Sequence, residues 1–215
     1  ETFTSKKNLK KIEHLPTKLI NLGNFFKLNL KSKDNYYLKI DPKEELNFKK
    51  YYLKHIKKRY ILIHLDEKWN DLDSVESKLF LNLLNLKKKI KSKIIITSFN
   101  NRFNYFKNLK KNILKLKSNK DFLLIENSNL FLFERLIKHS ICSISCHSGF
   151  LVQIAGTNSA KLIDIINKND YKWYSCWKPK NTIHQFIFKS DSKKKFSINR
   201  IFEDLSSKIK KIKNF

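Results

Sequence analysis

The sequence predicts an α/β domain built on a doubly wound parallel sheet. Five short apolar runs between residues 60 and 166 alternate with stretches whose apolar residues recur at helical spacing. Each run is almost continuously apolar, which is typical of parallel strands covered by helices on both faces. A turn of mostly small residues, 145–149, joins the fourth run to the helical stretch after it. Repeated strand–turn–helix units of this kind indicate the doubly wound class.

The elements follow one another in a regular order along the chain. The predicted strands are 60–65, 93–98, 121–125, 141–145 and 160–166. Helices are predicted between them, after a cap at Asp73-Ser74 and over 102–116, 130–139 and 148–156. Beyond the last of these strands, 171–179 is predicted to be irregular and 182–188 an edge strand. A terminal amphipathic helix is predicted to begin at Ser197.

The region before the first strand has a different texture. Residues 1–58 are lysine-rich and irregular apart from a short predicted helix at about 44–56. The chain contains no methionine and begins with Glu1. We therefore expect a piece of a longer protein, in which 1–58 is a partial N-terminal segment and 59–215 is the α/β domain, including the terminal helix.

The net charge of +27 raises the question of nucleic-acid binding, because neutralisation of phosphates dominates that affinity. Only four of the 46 basic residues are arginine, the side chain that reads nucleic acids best, and the lysines are spread along the whole chain. We therefore expect mainly solvated lysines and no nucleic-acid partner. A basic nucleic-acid-binding module stays the alternative. Peripheral contact with an anionic membrane is a weaker expectation.

Several classes of protein lack support in the sequence. No apolar run approaches the roughly 18–20 residues that cross a bilayer, and no signal-peptide pattern opens the chain. The three cysteines have no metal-ligand spacing, and we expect them to be reduced, as in the cytoplasm. There is no P-loop, GxGxxG motif or CxxC pair, so the sequence predicts no cofactor and no metal.

The turn Ser145-Cys146-His147-Ser148-Gly149 is the most informative segment. Glycine at a strand-to-helix turn lets backbone N–H groups approach an anion at the positive end of the helix. A phosphate site is therefore one interpretation, and a tight turn without a ligand is the other.

Ligands of such sheets bind beyond the carboxyl ends of the strands, which selects a small set of polar and aromatic residues. Each also has a simpler interpretation, a solvated lysine for Lys68 and a helix-capping histidine for His147. The candidate binding residues are Lys68, Trp69, Thr97, Ser98, His147, Ser148 and Gly149.

From about residue 37 to 212, the chain resembles the C-terminal half of GT-B glycosyltransferases of the ADP-heptose lipopolysaccharide heptosyltransferase type, family 9. The resemblance rests on Lys68-Trp69 after the first strand, on 94–98, and on His147-Ser148-Gly149 between a strand and a small-residue helix. It implies a Rossmann-like half of a GT-B fold and a nucleotide-sugar donor. It also implies displacement at an anomeric carbon, with Lys68 and the Ser148 and Gly149 amides facing the diphosphate.

The same resemblance implies a glycan or lipid-linked acceptor, a role in envelope lipopolysaccharide synthesis, and a location in the cytoplasm or on the inner membrane. The sequence departs from the family at two positions. His147 stands where the family has an acid, and Val152 stands where a histidine often follows. A non-catalytic α/β domain with a degenerate site is therefore a further alternative, and no catalytic base is named.

Overall fold

The computed structural model describes residues 15–31, 42–56, 58–99, 102–116, 120–180, 182–191 and 194–213. The strands among these residues form one seven-stranded sheet. The strands are β1 Tyr60–His64, β2 Lys93–Ser98, β3 Phe122–Glu126, β4 Ser143–Ser145, β5 Leu162–Asn167, β6 His184–Asp191 and β7 Lys194–Lys195. Their order across the sheet is β3-β2-β1-β4-β5-β6-β7.

The first six strands are parallel, so the predicted fold class is confirmed. The predicted edge strand at 182–188 is β6, which pairs in parallel with β5, and the short β7 pairs antiparallel outside it. The sheet is therefore that of a doubly wound, Rossmann-like domain.

Helices cover both faces of the sheet. They are α1 Leu15–Phe25, α2 Pro42–Tyr51, α3 Val75–Ile90, α4 Asn104–Leu114, α5 Leu130–His139, α6 Gly149–Thr157, α7 Tyr171–Cys176 and α8 Ile198–Lys213. One apolar cluster joins α3, α4 and α8 to the sheet, and a second joins α2, α5 and α6 to its other face. None of the helices among the described residues has the length and apolar character needed to cross a membrane.

Strand β1 explains why the strand sequences are continuously apolar. Ile61 and Ile63 belong to the first cluster, while Tyr60 and Leu62 belong to the second. All four are fully buried. Because successive side chains of a strand point to opposite faces, a strand covered on both sides buries every side chain, which favours apolar residues along most of its length.

Two local predictions differ from the structure. The 171–179 segment is not irregular throughout, since a 3₁₀ turn at Lys168–Asp170 leads into α7 and buries Cys176. Helix α3 begins at Val75 as expected, but Ser74 makes no side-chain cap because its backbone is left-handed, with φ of 62°. At the other end of the domain, α2 continues into a π-helical turn, Tyr52–Ile56.

The strand order fixes where a ligand can bind. From β1 the chain winds outward through β2 to β3, and it then returns to place β4 on the other side of β1. The crevice at such a reversal lies beyond the carboxyl ends of β1 and β4. The segments that follow these two strands carry Lys68 and the His147–Gly149 turn, respectively.

Candidate functional site

The turn between β4 and α6 is held by its own side chains. Ser148 is the N-cap of α6, and its Oγ accepts a hydrogen bond from the Leu151 amide at 3.4 Å. The Ser148 amide in turn donates to Ser145 Oγ at 3.3 Å. His147 adopts a left-handed backbone, with φ of 54°. A non-glycine residue in this region costs energy, which the surrounding hydrogen bonds offset.

Lys68 connects the end of β1 to this turn. It lies in a 3₁₀ turn, Glu67–Asp71, whose N-cap Asp66 accepts a hydrogen bond from the Lys68 amide at 3.1 Å. The Lys68 ammonium donates to the backbone carbonyl of His147 at 2.6 Å. A positive charge is therefore held beside the N-terminus of α6.

A cavity of about 350 Å³ opens between these two segments. It is lined by His64, Leu65, Asp66, Glu67, Lys68, Phe99, Ser148, Gly149 and Phe150. Gly149 and Phe150 begin α6, where amides have no carbonyl partner within the helix. The φ of Gly149 is not positive, so the backbone conformation at this position does not require glycine. A Cβ added at Gly149 would meet no atom within 4 Å, so this position is open.

The seven predicted site residues fall into two groups. Lys68, Ser148 and Gly149 line the 350 Å³ cavity, and His147 lies directly beside it. Trp69, Thr97 and Ser98 are buried beneath the sheet edge.

The buried members of the predicted set support the edge from below. Trp69 packs against Phe202, and its Nε1 donates to the His64 carbonyl at 2.9 Å. Thr97 Oγ1 lies 3.1 Å from His64 Nδ1. Trp69, Thr97 and Ser98 have almost no exposed surface, so they are buried too deeply to contact a ligand.

A buried carboxylate, absent from the predicted set, organises the turn. Asp164 on β5 is fully buried, and its Oδ2 lies 3.1 Å from His147 Nδ1 and 2.8 Å from His184 Nε2. Its Oδ1 accepts a hydrogen bond from Ser145 Oγ at 3.2 Å. One side chain therefore fixes β4, β6 and the left-handed residue of the turn.

These hydrogen-bond partners stabilise the ionised form of Asp164. Burial raises the pKa of Asp164, but the hydrogen bonds from His147 and His184 outweigh it and hold the pKa below its ordinary value of 3.8. Asp164 is therefore ionised at neutral pH, and each of the two imidazoles directs an N–H toward it.

Two titratable groups in the 350 Å³ cavity are shifted by burial. Burial lowers the pKa of His64 to about 4, against the effect of Glu67. Burial also raises the pKa of Asp66 to about 6, with Glu67 adding to the rise and Lys68 opposing it. His64 is thus neutral at physiological pH, while Asp66 titrates just below it.

A second cation lies near Lys68. Lys189 on β6 is buried, and its ammonium pairs with Asp71 Oδ2 at 2.6 Å and lies 3.4 Å from the Lys68 carbonyl. Lys68 and Lys189 both line a smaller cavity of about 160 Å³. No group of three or more His, Cys, Asp or Glu side chains within the described ranges is placed to hold a metal ion.

The sequence carries a signal for one of the missed residues. Asp164 is the one charged residue in β5, whose other residues are apolar except for the terminal asparagine. A lone acid in a strand buried on both faces requires partners, since an unpaired buried charge is very costly. His184 and Lys189 had no such signal, because β6 was predicted only as an edge strand.

Comparison with known proteins shows a likeness in structure without one in sequence. No family model and no curated protein matches the chain. The solved structure of ADP-heptose LPS heptosyltransferase II from E. coli matches over 81% of this chain, with a TM-score of 0.54 and 9% identity. The chain spans 54%, about half, of that protein's length.

The structure of a UDP-GlcNAc 2-epimerase from Methanocaldococcus jannaschii, solved with UDP-GlcNAc and UDP, also matches. The match covers 77% of this chain and 48% of the epimerase chain. Its TM-score is 0.44 and its identity 16%. At 9% identity, the likeness to the heptosyltransferase shows the fold. The chain has the α/β Rossmann-like fold of a GT-B half-domain.

Proposed function

We propose that this chain is the donor-binding part of a glycosyltransferase that uses a nucleotide sugar. Residues 59–215 form the donor-binding domain in this proposal, and 1–58 belong to the N-terminal domain and the linker. One observation carries the proposal: the Lys68 ammonium and the N-terminus of α6 meet at a single cavity at the switch point of the sheet. This pairing of a fixed cation with helix amides suits a diphosphate.

The chemistry follows from where charge develops. When the bond between the anomeric carbon and the diphosphate breaks, the leaving nucleotide takes the electron pair and gains negative charge. Lys68 and the first amides of α6 would stabilise that charge at fixed positions, without reorganisation of solvent. The likeness to the heptosyltransferase supports the fold required. Transfer to an envelope glycan or lipid acceptor is the finer part of the proposal and rests on the sequence resemblance.

A thermal-shift experiment tests the proposal with matched lysine variants. UDP, ADP and their sugar conjugates, at millimolar concentration, should raise the melting temperature of the wild type. Lys68→Met should lose most of this increase, because one charge-assisted contact contributes about 1.5–3 kcal/mol. Lys78→Met, at an exposed position on α3, should retain it. The proposal is contradicted if no nucleotide protects the wild type.

Two additional arms separate specific binding from general attraction to the basic surface. Gly149→Ala should keep the stability of the wild type, because its Cβ meets open space, but should lower protection by placing a methyl group in the cavity. A short oligothymidylate controls for the net charge of +27. Equal protection by the oligonucleotide, lost with added salt, would favour the nucleic-acid alternative.

Nucleotide-sugar binding should strengthen as the pH falls. Asp66 and Glu67 line the same cavity as Lys68 and oppose a diphosphate when ionised. Because the pKa of Asp66 is about 6, we expect the dissociation constant to fall roughly 3- to 10-fold between about pH 7.5 and 5.5. The sign follows from linkage, since a bound anion raises the pKa of Asp66 and binding takes up a proton.

Calorimetry with a nucleotide sugar measures this effect without interference, because its diphosphate lacks the terminal phosphate group that titrates near pH 6. Asp66→Asn, which can still accept the Lys68 amide, should bind with a flat pH profile at the higher affinity. A steep profile retained in Asp66→Asn would assign the proton uptake to another group.

A further inference from the structure

A second, larger cavity adjoins the turn. It has a volume of about 430 Å³, within the range of roughly 300–1,000 Å³ typical of small-molecule sites. Its walls come from α7, α6 and α1, and it includes Trp173, Tyr174, Trp177, Val152, Gln153 and His147. Gly149 lines this cavity and the 350 Å³ cavity, so the two meet at the first residue of α6.

Two tryptophans give this cavity its shape. The rings of Trp173 and Trp177 lie 6.4 Å apart at 68°, so they form a corner. Trp177 is 40% exposed, an unusual position for a tryptophan that only fills a core. Aromatic faces carry partial negative charge and attract weakly positive C–H groups. The corner therefore suits a ligand that presents C–H groups from a compact ring.

His147 provides a directed polar group in this cavity. Its ring stacks on Tyr174, with centroids 3.5 Å apart, and its Nδ1 faces the ionised Asp164. Because Nδ1 faces Asp164, the other ring nitrogen, Nε2, is left for a ligand. A hydroxyl group both donates and accepts hydrogen bonds, so it can pair with an imidazole nitrogen. The Gln153 side chain lines the same cavity and adds a donor and an acceptor.

We propose that this aromatic cavity binds a pyranose ring, with a sugar hydroxyl hydrogen-bonded to His147 Nε2. The inference rests on the proposed function and names the part of the site that holds sugar. A pyranose combines a C–H-rich face for the tryptophans with hydroxyl groups for His147 and Gln153. An aliphatic chain would leave both polar groups unused. The ring can come from the donor itself or from a separate acceptor sugar.

Intrinsic fluorescence separates the two sources. Trp69 is fully buried elsewhere, so a ligand in the cavity acts on Trp173 and Trp177. The probes are methyl glucoside, galactoside and mannoside, and UDP- and ADP-sugars compared with UDP and ADP. Sorbitol, which has hydroxyls but no ring, is the negative control. A change with methyl pyranosides alone supports a separate sugar. A change with nucleotide sugars beyond that of the nucleotide supports the donor's own ring.

Variants connect either signal to the cavity. Trp177→Ala should abolish sugar binding and leave protection by UDP or ADP unchanged, since Trp177 does not line the 350 Å³ cavity. His147→Gln should weaken sugar binding roughly 5- to 100-fold through loss of one buried hydrogen bond. Trp69→Phe, in the core, should leave the sugar signal intact and serves as the control for loss of a tryptophan.

The outcomes distinguish this inference from the proposed function. No response to any pyranoside or nucleotide sugar, in a protein that UDP or ADP protects, overturns the sugar site alone. A response to sorbitol equal to that of the pyranosides also overturns it. Binding of pyranosides without protection by any nucleotide would overturn the proposed donor function and keep the sugar site.

Discussion

Replacing Asp164 with alanine is expected to destabilise the protein by about 3–5 kcal/mol. Asp164 is fully buried, and three side chains from β4, the turn and β6 direct hydrogen-bond donors at it. Removal of the carboxylate leaves these donors without an acceptor, and it leaves a void in the sheet. For a domain of this size, the loss corresponds to a fall of roughly 6–20 °C in melting temperature.

Chemical denaturation of Asp164→Ala and Asp164→Asn measures the effect. The asparagine variant keeps the shape but offers one acceptor oxygen, so its loss should be intermediate. Asp204→Ala, at an exposed position on α8, should stay within about 0.5 kcal/mol of the wild type. A loss below about 1 kcal/mol in Asp164→Ala would contradict the view that this carboxylate organises the site.

The stability difference between the wild type and Asp164→Ala should depend on pH in a defined direction. The pKa of Asp164 is held below 3.8, so its contribution is fully present above the unfolded value. The stability gap between wild type and Asp164→Ala should therefore persist from neutral pH down to about 4. It should shrink as the pH falls further, when the folded carboxylate takes up a proton.

Replacing Arg135 with alanine is expected to lower the free energy of unfolding by a similar amount, about 3–5 kcal/mol. The side chain on α5 is fully buried, with its Nε 2.9 Å from Glu45 Oε2 on α2 and its Nη2 3.7 Å from Glu134 Oε2. The guanidinium also lies 4.8 Å from the centroid of the Phe131 ring. Its removal leaves a cavity, takes the guanidinium away from two carboxylates, and breaks one contact between α5 and α2.

A variant series separates charge from volume at Arg135. Arg135→Met fills most of the space, and exchange of a buried ion pair for apolar packing is often close to neutral, so its loss should be clearly smaller. Glu45→Gln should cost little or nothing in the Arg135→Met background, whereas in the wild type it breaks the buried pair, so the double-mutant cycle should give a coupling energy clearly different from zero. Arg59→Ala, at an exposed position, is the control. Equal losses in the alanine and methionine variants would assign the whole effect to the charge.

Strands β1 to β6 could be predicted to within a few residues, mainly because burial on both faces favours apolar runs, whereas the two-residue β7 was not predicted. The first strand was predicted at 60–65 and is Tyr60–His64. Helix α7 could not be predicted, since its six residues are mainly aromatic and polar and have no room for helical periodicity. The left-handed Ser74 was equally hidden, because backbone conformation at a cap depends on the tertiary path of the chain.

The candidate site, too, could be predicted from the sequence only in part. Lys68 and Ser148-Gly149 could be brought together from sequence, because the carboxyl ends of adjacent parallel strands share an edge. The Asp164 contacts could not, since they join residues 17 to 20 positions apart on three elements. His147 shows what this changes. From the sequence His147 was a candidate ligand contact or a capping histidine, and the structure places a buried acid directly behind it.

Backbone amide NMR during titration with UDP or ADP tests the central claim most directly. If the diphosphate binds between Lys68 and α6, the amide resonances of Ser148, Gly149 and Phe150 should move most, together with that of Lys68. Resonances on the far face of α3 and α8 should stay in place. Shifts scattered over the lysine-bearing helices, or none at millimolar nucleotide, would contradict a nucleotide site at this turn.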